Sequence, residues 1–152
     1  MYIIIFILAI VLDQSTKLLA IKYLKDAPQV KLIDNWLHLT YLENSGAAWG
    51  IFQDATLFFS VITIIICFGI SWYLLKNSNN IDMIIKLPLV MIMAGAVGNL
   101  IDRLRLGYVV DFIFTPLGGL YNFPVFNFAD IFVSLSAIFL AIYIFFNEEA
   151  IW

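Results

Sequence analysis

The stretch Gly107–Asp130, GYVVDFIFTPLGGLYNFPVFNFAD, sets an aspartate at each end of an aromatic and glycine-rich loop, and the second, Asp130, opens an apolar run long enough to enter a bilayer. It therefore delivers two carboxylates, Asp111 and Asp130, to one membrane edge. A carboxylate in or beside hydrocarbon costs roughly 2.5–3.5 kcal/mol or more unless it is paired or hydrated, so an ionisable residue there points to function. For either residue alone the alternative is a buried ion pair or a helix cap. Two such residues, with further polar groups converging on the same level, favour a site.

Working outward, the chain is far too apolar for a soluble domain: 63% of its 152 residues are hydrophobic and 12% are charged, where soluble domains run near a quarter charged. It reads as one integral membrane domain, residues 1–152, with spans over about 2–24, 55–75, 87–104 and 129–146. Asp13, Gln14, Lys17 and Lys22 interrupt the first span. Neither Lys nor Arg precedes its leading run, Met1 to Leu12, and no small-residue cleavage site follows, so the run is expected to be retained. The third span carries Ala94, Gly95, Ala96 and Gly98, small residues that allow close helix approach in lipid.

Two connections are too long to be simple turns. Asp26 to Asp54, with Val30, Ile33, Trp36, Leu39, Tyr41 and Leu42 around Asp34-Asn35, reads as a small hairpin or sheet lying on the membrane surface. Two spans separate it from the Gly107–Asn127 loop, so both face one compartment, and the termini and the Lys76–Lys86 turn face the other. The predicted fold class is an all-α membrane protein of four transmembrane helices with a small β-sheet or hairpin and a second loop on that same side.

With the spans alternating in direction, Lys17, Asn99, Asp102, Arg103 and Asp130 fall in the half of the membrane nearest the long loops, and Asp13 lies near mid-depth. At 1.5 Å per residue Asn99 is about 6 Å below Arg103 on one helical face, and Asp13 and Lys17 form an i, i+4 pair. Lys and Arg counts do not assign the orientation, because Lys22, Lys25, Lys31, Arg103 and Arg105 lie toward the long-loop side.

Other chemistries find little support. Eight Lys plus Arg and a net charge of −3 offer no basic patch for nucleic acid. The lone Cys67, inside an uncharged run, reads as a small core residue, and the lone His38 as a structural hydrogen-bonder. No metal or other cofactor is expected. Two neighbouring aspartates cannot both ionise cheaply, so near neutral pH they share a proton. That suits peptide hydrolysis: the ionised carboxylate takes a proton from the attacking water, while its protonated partner donates to the developing oxyanion and helps to protonate the leaving amine.

The motifs Asp13-Gln14-Ser15-Thr16-Lys17, Asn44-Ser45-Gly46-Ala47-Ala48-Trp49-Gly50, Gly98-Asn99-Leu100-Ile101-Asp102-Arg103, Val109-Val110-Asp111-Phe112 and Phe126-Asn127-Phe128-Ala129-Asp130 occur in that order along a chain of four spans. Together they resemble the lipoprotein signal peptidases (signal peptidase II) over nearly the whole chain. The resemblance implies a multi-pass bacterial plasma-membrane enzyme, an aspartic endopeptidase with Asp111 and Asp130 as its dyad. It would remove the signal peptide from prolipoproteins just before a diacylglyceryl-modified cysteine, with membrane lipid as the other partner and no oligomer required. It also implies an extracytoplasmic active site and sheet, with cytoplasmic termini.

For the remaining blocks, Asn44 and Gly46 could let backbone approach an extended substrate, with Trp49 as an interfacial anchor; a tight turn accounts for the glycines equally well. Arg103 could balance the dyad or meet Asp102, and Asn99 and Asn127 could orient the carboxylates. Asp13 and Lys17 are expected to hold the first span in the bundle, and Asp102 is grouped with them. A small transporter or proton-pathway subunit would also place ionisable groups in the membrane, but usually with inverted repeats, and no internal repeat is visible here.

Overall fold

In hydrocarbon, backbone N–H and C=O groups find no water, so an apolar run long enough to span satisfies them within itself as a helix. The computed structural model, which describes residues 1–46, 55–77 and 81–147, has helices α1 (Tyr2–Leu24), α2 (Thr56–Lys76), α3 (Met83–Leu106) and α4 (Phe128–Phe146). Each is long and apolar enough to cross a membrane. The bounds of α1, α2 and α4 lie within a residue of expectation, whereas α3 begins at Met83, four residues before Leu87. Its start takes in Lys86 and Pro88. A long lysine stem can carry its charge toward the headgroups, and Pro88, at the sixth position of the helix, gives up one backbone bond to the Ile84 carbonyl, a loss that membrane helices tolerate.

The Asp26–Asp54 connection forms the expected hairpin, β1 (Val30–Ile33) and β2 (Leu37–Asn44), with Asn35 in the turn at φ 60°. A third strand, β3 (Val109–Phe114), pairs antiparallel with β2 and gives the order β1-β2-β3. This stretch forms a strand and not the expected loop, in keeping with the β-branched and aromatic composition of VVDFIF. One sheet thus joins the two long connections. Gly107 ends α3 in the left-handed region (φ 84°), its N–H donating to the Arg103 carbonyl, and so starts β3 directly over the helix end.

Small residues on α3 set the spacing of the bundle. A Cβ on Gly95 would collide with the Ala129 carbonyl and stand 2.8 Å from Val133 Cγ2, and one on Gly98 would stand 2.6 Å from Asp13 Oδ2. These two glycines let the start of α4 and the polar stretch of α1 lie against α3. Ala20, Val110, Phe112 and Ile113 form the apolar core between α1 and the sheet. His38, buried in β2, has Nδ1 3.0 Å from Gln29 Oε1, as a structural hydrogen-bonder would. Trp49 and the rest of Ala47–Gly50 lie outside the described residues.

Candidate active site

Asp130 occupies the third position of α4, and Asn127 caps that helix in a reciprocal box. The Asn127 Oδ1 accepts from Asp130 N at 3.0 Å, and Asp130 Oδ2 accepts from Asn127 N at 3.1 Å. The helix-cap alternative therefore holds for Asp130, yet the cap uses one carboxylate oxygen. The other, Oδ1, accepts from Asn99 Nδ2 at 2.8 Å.

Asp111 stands on β3, opposite Leu42 of β2 and only 1% exposed. Its Oδ1 accepts from Asn127 Nδ2 at 2.6 Å and its Oδ2 from Asn44 Nδ2 at 2.8 Å, while Asn44 Oδ1 accepts from Gly46 N at 3.0 Å. Asn127 thus holds one aspartate by its side chain and the other by its backbone. Burial, and after it the Asp130 carboxylate, push the Asp111 carboxyl up to about 7, against the opposing pull of the two amides and the Lys17 charge.

Beneath the pair lies a buried charged layer. Lys17 Nζ meets Asp13 Oδ2 at 3.0 Å and Asp102 Oδ2 at 2.9 Å, and donates to Asn99 Oδ1 at 2.8 Å. Asp13 Oδ1 accepts from Ala129 N at 2.9 Å, and Asp102 Oδ2 also accepts from Val110 N at 3.1 Å, so the layer ties α1 and α3 to the starts of α4 and β3. Gln14, quoted in a motif but given no role, belongs to it: Nε2 donates to Gly98 O and to Asp102 Oδ1, both at 3.0 Å. Its place beside Asp13 in a polar break of the first span was the available signal.

A cavity of about 300 Å³ is lined by Asn44, Gly46, Asn99, Arg103, Asp111, Asp130 and Ser134, with Val109 and the apolar stretch Phe123–Phe126. The structure therefore brings the expected site residues to two adjoining places. Asp111, Asp130, Asn44, Gly46, Asn99 and Arg103 line the cavity, with Asn127 bonded to both aspartates, and Asp13, Lys17 and Asp102 lie in the layer below. Arg103 sets its guanidinium 5.4 Å from the centre of the Phe59 ring, and the ion pair of Asp102 is with Lys17. Among the described residues no cluster of three or more His, Cys, Asp or Glu is placed to hold a metal. Two buried carboxylates with oriented amides, open to one cavity, can bind and move a proton without one.

Known proteins resemble this chain over nearly its whole length. The family model described as signal peptidase (SPase) II matches residues 5–146. A lipoprotein signal peptidase of Clostridium tetani (strain Massachusetts / E88) is 47% identical over 144 residues, covering 95% of this chain and 92% of that protein. One of Clostridioides difficile (strain 630) is 41% identical, covering 98% and 97%. A bacterial membrane enzyme solved by the in meso method at 2.3 Å resolution superposes with a TM-score of 0.89 at 32% identity, covering 99% of this chain and 91% of that one. A second, at 1.9 Å, gives 0.83 at 34% identity, covering 94% and 91%. With its four spans, its sheet and nearly its whole length matched in this way, the chain belongs to the signal peptidase (SPase) II family.

Proposed function

We propose that this enzyme is an aspartic endopeptidase that cleaves the signal peptide from bacterial prolipoproteins immediately before a lipid-modified cysteine, with Asp111 and Asp130 as the reacting pair. The observation that carries the reading is the meeting of both carboxylates on one cavity, bridged by Asn127. Burial and the neighbouring Asp130 carboxylate raise the Asp111 carboxyl to about 7, which lets the pair hold one shared proton near neutral pH, and this reading gives the donor's part to Asp111. Asp130 takes a proton from the attacking water, Asp111 donates to the scissile carbonyl as it becomes an oxyanion, and the proton returns to the leaving amine. Acid and base positioning of this kind contributes roughly 10²–10⁴-fold.

Arg103, with donors and no acceptor, suits backbone carbonyls of an extended substrate strand. Asn44, Asn99 and Asn127 hold the carboxylates, and Gly46 leaves room for substrate backbone. The lipid partner is supported by Leu120, Tyr121 and Phe123 on the connection to α4 and by Trp36 at the hairpin turn, all exposed. Side chains of this type suit the headgroup boundary, where a diacylated cysteine sits. A substrate translocated before processing requires this sheet side to face away from the cytoplasm, with both termini inside. The reading requires no group from a second copy of the chain.

Purified protein incubated with a diacylated prolipoprotein should release a shortened product, and Asp111→Asn should not. Failure of the folded enzyme to cleave, or undiminished cleavage by Asp111→Asn, would overturn the reading.

A further inference from the structure

Three asparagine amides hold the two aspartates, and each could present either its NH₂ or its oxygen, so something must fix which way each one points. For two of them a backbone N–H does so. Gly46 N donates to Asn44 Oδ1 and Asp130 N to Asn127 Oδ1, both at 3.0 Å, which turns both NH₂ groups toward Asp111. Asn99 is oriented differently. Its Oδ1 accepts from Lys17 Nζ at 2.8 Å, with Asn127 Nδ2 at 3.1 Å beside it, and its Nδ2 donates to Asp130 Oδ1 at 2.8 Å.

A lysine ammonium has three donors and no acceptor. Here its partners are Asp13, Asp102 and Asn99, and its side chain is 2% exposed. An Asn99 amide turned over would set donor against donor at Lys17 and oxygen against oxygen at Asp130. The direction of the chain Lys17 to Asn99 to Asp130 is thus set from the lysine end by the shorter, charged bond, with Asn127 Nδ2 as a second and longer donor to the same oxygen.

We infer that Lys17 is a positioning residue for the reaction: it fixes the Asn99 amide so that an N–H always faces Asp130, and does not serve merely as the ion-pair partner that holds α1 to α3. The inference rests on the reading of Asp111 and Asp130 as the reacting pair. Asp13 on α1, Asp102 and Arg103 on α3, Asp111 on β3 and Asp130 on α4 are the charged groups around this chain, and the Lys17 charge also acts on Asp111.

Lys17→Met alone would strand two buried carboxylates, so the test pairs it with Asp13→Asn, whose remaining carbonyl can still accept from Ala129 N. The layer then keeps its net charge, one cation with two carboxylates becoming one carboxylate. The double variant should fold and insert, bind substrate with KM within about twofold, and lose roughly 10–100-fold in kcat, the scale known for partners that orient the ligands of catalytic metals. Without the Lys17 charge, the alkaline limb of its kcat profile should move to higher pH. Lys17→Arg, again all donors, should retain activity and the wild-type limb.

Wild-type kcat and limb in the double variant would reduce Lys17 to a charge partner and overturn the inference. So would a folded Lys17→Arg that behaves like the double variant, or failure of both to fold, which would make Lys17 scaffold alone. Asp111→Asn runs alongside: turnover by it would bring down the parent reading and this inference together, whereas a dead Asp111→Asn beside unaffected Lys17 variants brings down this inference only.

Discussion

Replacing Asn127 by serine separates the two jobs its side chain performs. As a helix cap, serine is about as good as asparagine, so the bond from Asp130 N should survive and α4 should start where it does now. The bond to Asp111 Oδ1, 2.6 Å long and made to a carboxylate, cannot be reached by the shorter side chain. Such charge-assisted bonds are worth about 1.5–3 kcal/mol, so at 1.36 kcal/mol per decade kcat should fall roughly ten- to 150-fold. Loss of the buried amide, which leaves an Asp111 oxygen without that donor, should cost about 1–3 kcal/mol of stability, roughly 2–12 °C in the melting of a chain this size. Because the Asn127 amide is one of the influences that lower the Asp111 carboxyl, its removal moves that carboxyl above about 7. Turnover is lost as pH rises and the acid gives up its proton, so the alkaline limb should shift upward in the variant. Single-turnover cleavage across pH 5–9 with detergent-solubilised enzyme reads both quantities. An unchanged kcat and limb in a folded Asn127→Ser would refute the bridge. A stability loss equal to that of Asn127→Ala would refute the separation of cap from bridge.

Asp111→Asn and Asp130→Asn should each abolish cleavage in inserted, folded protein, with the double variant no worse than either single, since groups acting as a unit are not additive. The folded Asp111 carboxyl lies above its ordinary 3.8, so the stability its proton contributes is fully present below about 3.8 and is lost as pH rises through about 7. The unfolding midpoint should fall over that window, and Asp111→Asn should flatten the fall. Gly95→Ala should lower stability by about 1–3 kcal/mol in thermal unfolding, because its Cβ has no room against Ala129 and Val133. Gly118 and Gly119 sit at φ 70° and 80°, and Gly118 N donates to Asn35 O at 2.7 Å, where the loop rests on the hairpin turn. If that loop is a flap closing over substrate, Gly118→Val or Gly119→Val should depress turnover with a thermal cost of only about 1–2 kcal/mol each; unchanged kinetics in folded variants would sink the gating idea.

The helices were legible because hydrocarbon thickness prescribes their length, and the hairpin because Asp34-Asn35 marks a turn between two apolar runs. Strand β3 was hidden for a physical reason: its partner β2 lies far away in sequence, Asn44 bonding to Asp111 across 67 positions, and short strands carry little local signal. Within the site, the Asp13–Lys17 pair could be read from i, i+4 spacing. The Lys17–Asn99 bond, 82 positions apart, depends on how α1 and α3 are rotated against each other, which Gly98 decides by letting Asp13 approach. Asn127-x-x-Asp130 has the spacing of a capping box, so that contact was available in the sequence. That the Asn127 NH₂ would also reach Asp111 was not, because the reach depends on sheet register. Gln14 was overlooked because an amide beside an aspartate looks like mere polarity until its acceptors on α3 are seen.

Mass spectrometry of both fragments after purified enzyme meets a diacylated prolipoprotein tests the central claim most directly. The account expects a released signal peptide and a mature chain whose first residue is the lipid-bearing cysteine, with neither fragment formed by Asp111→Asn or Asp130→Asn. A cut at another bond, or the same cut made by either variant, would contradict it.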